Sequence, residues 1–289
     1  MVIDRVGNDN FELAENPLWM ESSNSFFWVD IEKGNLYKYN LDEKKVKCIL
    51  STQYRIGAFV FDCNDEIILL TEKGLIKVLN DNNKYFLDSN FLIEYPLIDA
   101  RFNDAICDSK GRIIAGIKCD DNSDKGRLIV FEKGKTPRII QQGLHISNGM
   151  GFSSDDSIFY HTDSENKTIY KYKYDIELGT ISDRQTFFIN EGKGVPDGMT
   201  IDKDNNIYTC IWGEGKVLKI LNNGGKINNV IQLPCKYSSS LTFGGKNLNM
   251  LLLTSANIAC EQGEQTTFDG AIYLFDCLDF GKNEYKAKI

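Results

Sequence analysis

The chain has 289 residues, 42% of them hydrophobic and 26% charged, and its 33 basic and 41 acidic side chains leave a net charge of −8. Phosphate backbones are bound by clustered positive charge, and the sequence has no block of Lys and Arg, so we expect no nucleic-acid partner. The longest apolar runs are the length of a strand, far below the ~20 residues of a membrane helix, so we expect no membrane span either.

The arrangement of histidine and cysteine disfavours a zinc site. The 2 His are His145 and His161, and the 8 Cys include no C-x-x-C pair and no Cys/His cluster. The first residues contain no apolar signal core, which predicts a cytoplasmic protein whose thiols are reduced and mostly buried.

Short apolar runs separated by Asn, Asp and Gly recur along the chain, and no window keeps the apolar spacing of an amphipathic helix, which predicts an all-β fold. A polar turn followed about five residues later by an apolar strand occurs six times, with strands beginning at Phe26, Ile67, Ile113, Ile158, Ile207 and Leu248. A second apolar run follows each of these strands, at residues 36–39, 75–78, 128–131, 169–172, 217–220 and 272–275. Successive units lie roughly 41 to 49 residues apart, within the period of a four-stranded propeller blade.

The two series of apolar runs each contain six members. We therefore predict one domain over residues 1–289, a six-bladed β-propeller of four-stranded blades. With only 5 Pro and no Gly/Ser-rich linker, the sequence indicates no domain boundary. A long β-sandwich with coincidental spacing is the alternative. It is less favoured because it gives no reason for two independent phases to reach the same count.

The repeat also selects candidate functional residues, because the innermost strand of each propeller blade lines the central channel. The positions five or six residues before each polar turn are Glu15, Gly57, Asn103, Asn148, Asp197 and Ser239. Their side-chain donors are all oxygens, which favours a hard cation such as Ca²⁺, Mg²⁺ or Mn²⁺. Asn, Asp, Ser and Gly are also turn formers, so each of these positions alone could be structural. Glu15 is not a turn former, and in its apolar neighbourhood a cation would offset the cost of an unpaired charge.

An ordered set of motifs spans roughly residues 10–277: ENPLW at 15–19, WVDI at 28–31, RFND at 101–104, GR at 111–112, AG at 115–116, ISNG at 146–149, DS at 163–164, PDGM at 196–199 and FGG at 243–245. Together they resemble the regucalcin/gluconolactonase family, which includes senescence marker protein and luciferin-regenerating enzymes. The resemblance implies a six-bladed propeller, one divalent cation in its channel and hydrolysis of sugar lactones to aldonic acids. Ca²⁺ is the default cation, with Mg²⁺, Mn²⁺, Zn²⁺ and Fe²⁺ as alternatives.

Residue by residue, the resemblance places the family's metal ligands on Glu15, Asn148 and Asp197. It places substrate contacts on Arg101, Asn103 and Asp121, where the family often has Glu at the last position. Asp197 is then the candidate catalytic residue. It either takes the proton of the attacking water or orients a hydroxide generated on the cation. The expected partner is a small-molecule sugar lactone, bound by a monomer or weak oligomer.

Other functions remain open at this point. A Ser-His-Asp triad would need His145 or His161 beside an activated Ser, and the chain has no G-x-S-x-G elbow. A propeller phosphotriesterase would use a similar oxygen-lined channel, and a non-catalytic calcium-binding regulatory protein would need the cation alone. The pair of Arg101 and Asn103 favours catalysis, because a bare cation site does not require it. Trp212 and Tyr237 are candidates either for the pocket wall or for the core.

Overall fold

A computed structural model describes residues 2–121, 123–258 and 267–289. Strand β1 (Asp4–Val6) precedes the first blade, which contains β2 (Ala14–Met20), β3 (Ser25–Asp30), β4 (Asn35–Asn40) and β5 (Lys45–Ser51). Blade two contains β6 (Ile56–Phe61), β7 (Ile67–Thr71), β8 (Gly74–Asp81) and β9 (Lys84–Glu94). Blade three contains β10 (Ala100–Cys107), β11 (Ile113–Cys119), β12 (Gly126–Phe131) and β13 (Arg138–Leu144).

The remaining blades follow the same order. Blade four contains β14 (Ser147–Phe152), β15 (Ile158–Asp163), β16 (Thr168–Asp175) and β17 (Thr180–Ile189). Blade five contains β18 (Val195–Ile201), β19 (Ile207–Trp212), β20 (Lys216–Ile220) and β21 (Ile227–Gln232). Blade six contains β22 (Ser238–Gly244), β23 (Met250–Ser255) and β24 (Ile272–Asp276). The innermost strands neighbour one another around a ring, β2, β6, β10, β14, β18 and β22, which closes on β2. The predicted six-bladed propeller of four-stranded antiparallel sheets is therefore confirmed.

The two repeat phases found in the sequence correspond to the second and third strands of the blades. The first-phase residues Ile67, Ile113, Ile158 and Ile207 are the first residues of β7, β11, β15 and β19. Phe26 is the second residue of β3, and Leu248 lies in the turn just before β23. These strands are apolar because sheets cover both of their faces: every residue of β3 and of β7 is buried. The outer strands β5 and β17 are largely exposed and correspondingly polar.

The blades are held together by apolar clusters between neighbours. Each of six buried clusters combines residues of two adjacent blades, so the core is divided among the blade interfaces. In the cluster between blades two and three, Leu70 lies with Phe102 and Phe131. A single blade could not bury both of its faces, which is why the repeat has to stack in a ring.

The sixth blade takes its outer strand from the other end of the sequence. Strand β1 pairs antiparallel with β24, with Asp4 opposite Leu274 and Val6 opposite Ile272. The repeat analysis did not predict this strand, because three residues carry too little pattern to read. It completes the four-stranded sheet of blade six, beside the packing of β22 against β2.

Residues 277–289 cross the end of the channel at which the innermost strands finish. Their backbone hydrogen bonds run from Lys203 N–H to the Phe280 carbonyl, from Gly281 N–H to Leu248, from Ala287 N–H to Phe61 and from Lys288 N–H to Gly111. The Tyr285 hydroxyl donates to Asp156 at 2.9 Å. This segment thereby contacts blades two to six and covers that end of the channel.

Two further features concern the chain as a whole. No helix in the described part of the chain has the length and apolar character that a membrane crossing requires. The seven cysteines within the described residues are free thiols, and Cys107, Cys210, Cys235 and Cys277 are buried. Cys260 lies outside the described residues.

Candidate active site

Every innermost strand loses its regular pairing at the position that the repeat selected for the channel. The register with the second strand shifts between Glu15 and Leu18, Ile56 and Ala58, Phe102 and Asp104, Asn148 and Met150, Pro196 and Met199, and Ser238 and Leu241. Such bulges redirect side chains and recur beside active sites. Six equivalent irregularities therefore surround the channel at one level.

A cavity of about 290 Å³ opens at this level. It is lined by Leu13, Glu15, Glu32, Arg101, Asn103, Lys118, Ile146, Asn148, Ser164, Val195, Asp197, Trp212 and Ile258. The structure thus brings together five of the six site residues predicted from the sequence. The sixth, Asp121, does not line this cavity.

The other two positions of the channel ring have structural roles. A Cβ at Gly57 would overlap the carbonyl oxygen of Phe102, so glycine is needed there for blades two and three to approach. The Ser239 hydroxyl donates to the carbonyl oxygen of Ala14 at 2.6 Å and lies 2.9 Å from the hydroxyl of Thr254. The first contact joins blade six to blade one, and the second joins the first two strands of blade six.

Two buried carboxylates, Glu15 and Asp197, face the cavity, and each is only 5% exposed. Oε2 of Glu15 accepts the N–H of Asn16 at 3.0 Å, whereas Oδ1 of Asp197 is buried without a hydrogen-bond partner among the described residues. Burial, and then repulsion from Asp197 and Asp104, raises the pKa of Glu15 well above its usual value. Burial, and then repulsion from Asp104, raises the pKa of Asp197 in the same direction. Without a compensating positive charge, this pair is costly to keep ionised.

These carboxylates fit a divalent cation. A buried polar atom without a partner requires an explanation, and a cation bound at Oδ1 of Asp197 would supply one. Within the described ranges no three His, Cys, Asp or Glu side chains converge on one point, so the third protein ligand would have to be a neutral oxygen. The Asn148 amide oxygen borders the same cavity, and two carboxylates with an amide are oxygen donors suited to a hard cation.

A hydrogen-bonded series of side chains orients Asn148. The Nη1 of Arg101 donates to Oδ1 of Asn103 and to the carbonyl oxygen of Phe102, the latter at 3.1 Å. The Nδ2 of Asn103 donates to Oδ1 of Asn148 and to the carbonyl oxygen of Ser147, both at 2.8 Å. The Nδ2 of Asn148 donates to Ser164 Oγ at 3.0 Å. Asn103 therefore holds Arg101 and Asn148 in a defined relation to each other.

Charged side chains surround the mouth of the cavity. Oε1 of Glu32 lies 3.7 Å from Nε of Arg101. Arg55 binds both oxygens of Asp120, at 3.0 and 3.2 Å, and its Nε binds Glu72 at 3.1 Å. Sequence reasoning missed Glu32 and Lys118. Lys118 could have been found, because it faces a residue of the RFND motif across the first hairpin of blade three.

Asp121 lies on the surface beside this mouth. Its side chain is 63% exposed, its Oδ1 accepts the N–H of Ser123 at 3.0 Å, and its Oδ2 lies 4.0 Å from Nζ of Lys125. As a substrate contact, Asp121 remains a prediction that requires its loop to fold over the cavity.

The apolar wall of the cavity includes Trp212, whose ring packs against that of Tyr237 with centroids 5.2 Å apart. Of the two aromatic candidates, Trp212 reaches the cavity, while Tyr237 supports it from behind. His145 is not among the residues that line the cavity. An apolar wall opposite polar groups is the usual construction of a small-molecule site.

A serine and a histidine do meet beneath the site, but they do not form a catalytic triad. Ser147 Oγ lies 2.8 Å from Nε2 of His161, and both residues are fully buried. The other ring nitrogen, Nδ1, is buried and has no partner among the described residues, so no carboxylate orients the imidazole. Burial lowers the pKa of His161 to about 3. A fully buried imidazole without a carboxylate partner cannot serve a substrate in the cavity.

Comparison with known proteins adds to this geometry. A match to the family described as SMP-30/Gluconolactonase/LRE-like region covers residues 13–257. The chain is 30% identical to pentonolactonase XacC of Haloferax volcanii, over 100% of this chain and 99% of that protein. It is 27% identical to regucalcin of Homo sapiens, over 88% of this chain and 86% of that protein.

Solved structures share the fold. A luciferin-regenerating enzyme superposes with a TM-score of 0.93 at 22% identity, covering 100% of this chain and 99% of that one. A calcium-binding protein, regucalcin, from Agrobacterium tumefaciens superposes with a TM-score of 0.91 at 20% identity, covering 99% and 97%. At these identities the likeness shows a common fold.

Proposed function

Because the chain belongs to the SMP-30/gluconolactonase/LRE family, we propose that it is a divalent-metal-dependent hydrolase that opens sugar lactones to aldonic acids. The observation that carries the proposal is the unpartnered Oδ1 of Asp197, which lies in one cavity with Glu15, Asn148 and the guanidinium of Arg101. A cavity of about 290 Å³ is suited to a monosaccharide lactone. The name of the Haloferax relative, a pentonolactonase, supports the same substrate class.

Glu15, Asn148 and Asp197 would hold the cation. When bound there, a divalent cation would polarise the lactone carbonyl and acidify a water molecule. Ca²⁺ is our first choice, and Mg²⁺, Mn²⁺, Zn²⁺ and Fe²⁺ are alternatives, since oxygen ligands accept several ions and availability often decides among them.

The chain's own residues would then position the substrate and move the proton. Arg101 and Asn103 border the cavity and would bind substrate hydroxyls, while the Asn103 amide keeps Arg101 and Asn148 aligned. Asp197 would take a proton from the attacking water while the water oxygen forms a bond to the lactone carbon. It would return that proton to the ring oxygen when the ring C–O bond breaks. Trp212 would shield the reacting ester from bulk water.

The test is a metal-reconstitution assay. The protein is stripped of metal, reloaded separately with Ca²⁺, Mg²⁺, Mn²⁺, Zn²⁺ and Fe²⁺, and assayed for acid release from glucono-, galactono- and xylono-lactones and from a phosphotriester. We expect lactone turnover that depends on the added cation. Asp197→Asn and Glu15→Gln should each lower kcat/KM at least ~100-fold. Glu177→Gln, which changes a glutamate that is 75% exposed, is the matched control and should leave turnover unchanged.

The same assay separates the alternatives. Turnover of the phosphotriester alone would replace the lactonase by a phosphotriesterase. Tight Ca²⁺ binding without turnover of any substrate would instead favour a non-catalytic calcium-binding protein. Full lactonase activity after exhaustive removal of metal would contradict the metal-dependent mechanism.

A further inference from the structure

Lys118 presents a second positive charge to the cavity, directly opposite Arg101. The two residues are paired in register between β10 and β11, and both line the cavity. Residues directly opposite on antiparallel strands project from the same face with Cβ atoms ~5 Å apart, where two like charges destabilise the sheet. Two facing cations therefore need a compensating negative charge.

The carboxylates at the mouth lie against the two arginines, Arg55 and Arg101. Glu32 lies 3.7 Å from Arg101, while Asp120 and Glu72 are bound by Arg55. Among the described residues, no hydrogen bond or ion pair reaches the ammonium group of Lys118. Its half-buried stem keeps this unpartnered cation in the cavity wall.

The electrostatic environment agrees with the geometry. Burial, and then repulsion from Arg101, lowers the pKa of Lys118, with Asp120 and Glu32 acting in the opposite direction. An anion bound beside Lys118 would remove this repulsion.

We propose that Lys118 and Arg101 form an anion subsite, so that the preferred substrate is a sugar lactone with a carboxylate or phosphate group remote from its ester. This inference rests on the proposed lactonase function and adds the substrate class. The ester lies over Glu15, Asn148 and Asp197, and the anionic group lies against Lys118. A charge-assisted hydrogen bond to an ammonium group is stronger than one between neutral groups, which makes Lys118 a specificity determinant.

The kinetic experiment compares three lactones of similar size on the metal-loaded protein. Glucono-lactone is neutral, glucaro-lactone carries a carboxylate, and 6-phosphoglucono-lactone carries a phosphate. We expect Lys118→Met to lower kcat/KM about tenfold or more for the preferred anionic lactone and to change it less than about twofold for the neutral one. Lys118→Arg should retain the preference. Lys173→Met, at a lysine that is 75% exposed and away from the cavity, is the matched control for the loss of one charge.

The outcomes distinguish the sources of the anion and can overturn the inference. A wild-type preference for the carboxylate lactone or for the phosphorylated one identifies which group the subsite takes. An equal loss for neutral and anionic lactones in Lys118→Met, or no wild-type preference, contradicts an anion subsite. The preference should also weaken as ionic strength rises, because added salt screens the charges.

A binding measurement keeps this inference separate from the proposed function. Glucarate and 6-phosphogluconate are titrated calorimetrically into wild-type protein and Lys118→Met, without any need for turnover. If no lactone is hydrolysed, the lactonase proposal fails. The subsite then stands only if the substitution weakens binding of one of these anions about tenfold. Equal binding to both proteins overturns the subsite whatever the kinetics show.

Discussion

Replacing Asp197 by Asn should have opposite effects on thermal stability with and without the cation. In metal-free protein the buried carboxylate has an oxygen without a partner, and repulsion from Asp104 adds to the cost. Leaving a buried polar group unsatisfied costs ~1–3 kcal/mol, and more if it is charged. Asp197→Asn removes the charge while keeping the shape, so we expect the metal-free variant to be more stable than metal-free wild type.

The expected shift in Tm follows from the size of the chain. An unfolding entropy near 2.1 cal/mol/K per residue gives ~0.6 kcal/mol/K for 289 residues. A gain of ~1–3 kcal/mol therefore raises Tm by ~2–5 °C. A cation at 1,000 times its Kd stabilises wild type by ~4.1 kcal/mol, or ~7 °C, and the variant loses this gain because it loses a ligand. The order of the two Tm values should reverse when the cation is added.

The stability of the metal-free protein should also depend on pH through Asp197. The pKa of Asp197 is raised in the folded state, so the folded protein keeps a proton that the unfolded chain has lost. Metal-free wild type should lose stability as pH rises above the unfolded pKa of ~3.9, and the advantage of Asp197→Asn should grow over that range. Thermal unfolding by circular dichroism in chelator and in excess cation measures both effects. A lower Tm for the variant in chelator, or an equal gain of both proteins from the cation, would refute the reasoning.

Three further predictions concern the surroundings of the site. Burial raises the pKa of Asp104 to about 7. The free energy of unfolding of metal-free wild type should therefore fall by up to ~4 kcal/mol as pH rises from ~4 to 7. In urea titrations, Asp104→Asn should reduce this pH dependence. Ser147→Ala leaves Nε2 of His161 unpaired, which should cost ~1–3 kcal/mol in urea unfolding while kcat per folded molecule stays within about twofold. Gly57→Ala places a Cβ against Phe102, and a loss of ~1–3 kcal/mol in chemical denaturation is expected.

Each of these has an outcome that would contradict it. An unchanged pH profile in Asp104→Asn would mean that this carboxyl is already ionised in the metal-free fold. Loss of turnover in correctly folded Ser147→Ala would return the serine to the list of catalytic candidates. Wild-type stability of Gly57→Ala would show that blades two and three can separate without cost.

The fold could be predicted from the sequence because the same local pattern is repeated six times. Second strands such as β3 and β7 are buried on both faces, so their apolar runs are visible without knowledge of their partners. The family resemblance drawn from the ordered motifs is confirmed by the match over residues 13–257. Strand β1 and the segment 277–289 could not be predicted, because their partners lie far away in sequence and their own residues carry no periodic signal.

The site was only partly accessible to the same reasoning. Equivalent repeat positions located Glu15, Asn148 and Asp197, which the structure brings to one cavity. The repeat did not distinguish these residues from Gly57 and Ser239. The latter two differ by their close contacts with a neighbouring blade, which the sequence does not reveal. Glu32 was missed for a related reason, since it lies in a turn and its side-chain direction depends on tertiary structure.

The closure of blade six by β1 has a consequence for the order of folding. Five blades consist of strands consecutive in sequence, and each can form as soon as its own residues are available. The sixth blade requires Asp4 to pair with Leu274, which closes a loop of almost the whole chain and carries the corresponding entropy cost. During synthesis the growing ring is therefore an open arc whose last sheet has an unpaired edge, the form most exposed to wrong pairing. The arc becomes a closed molecule when β1 pairs with β24 and blade six packs against blade one.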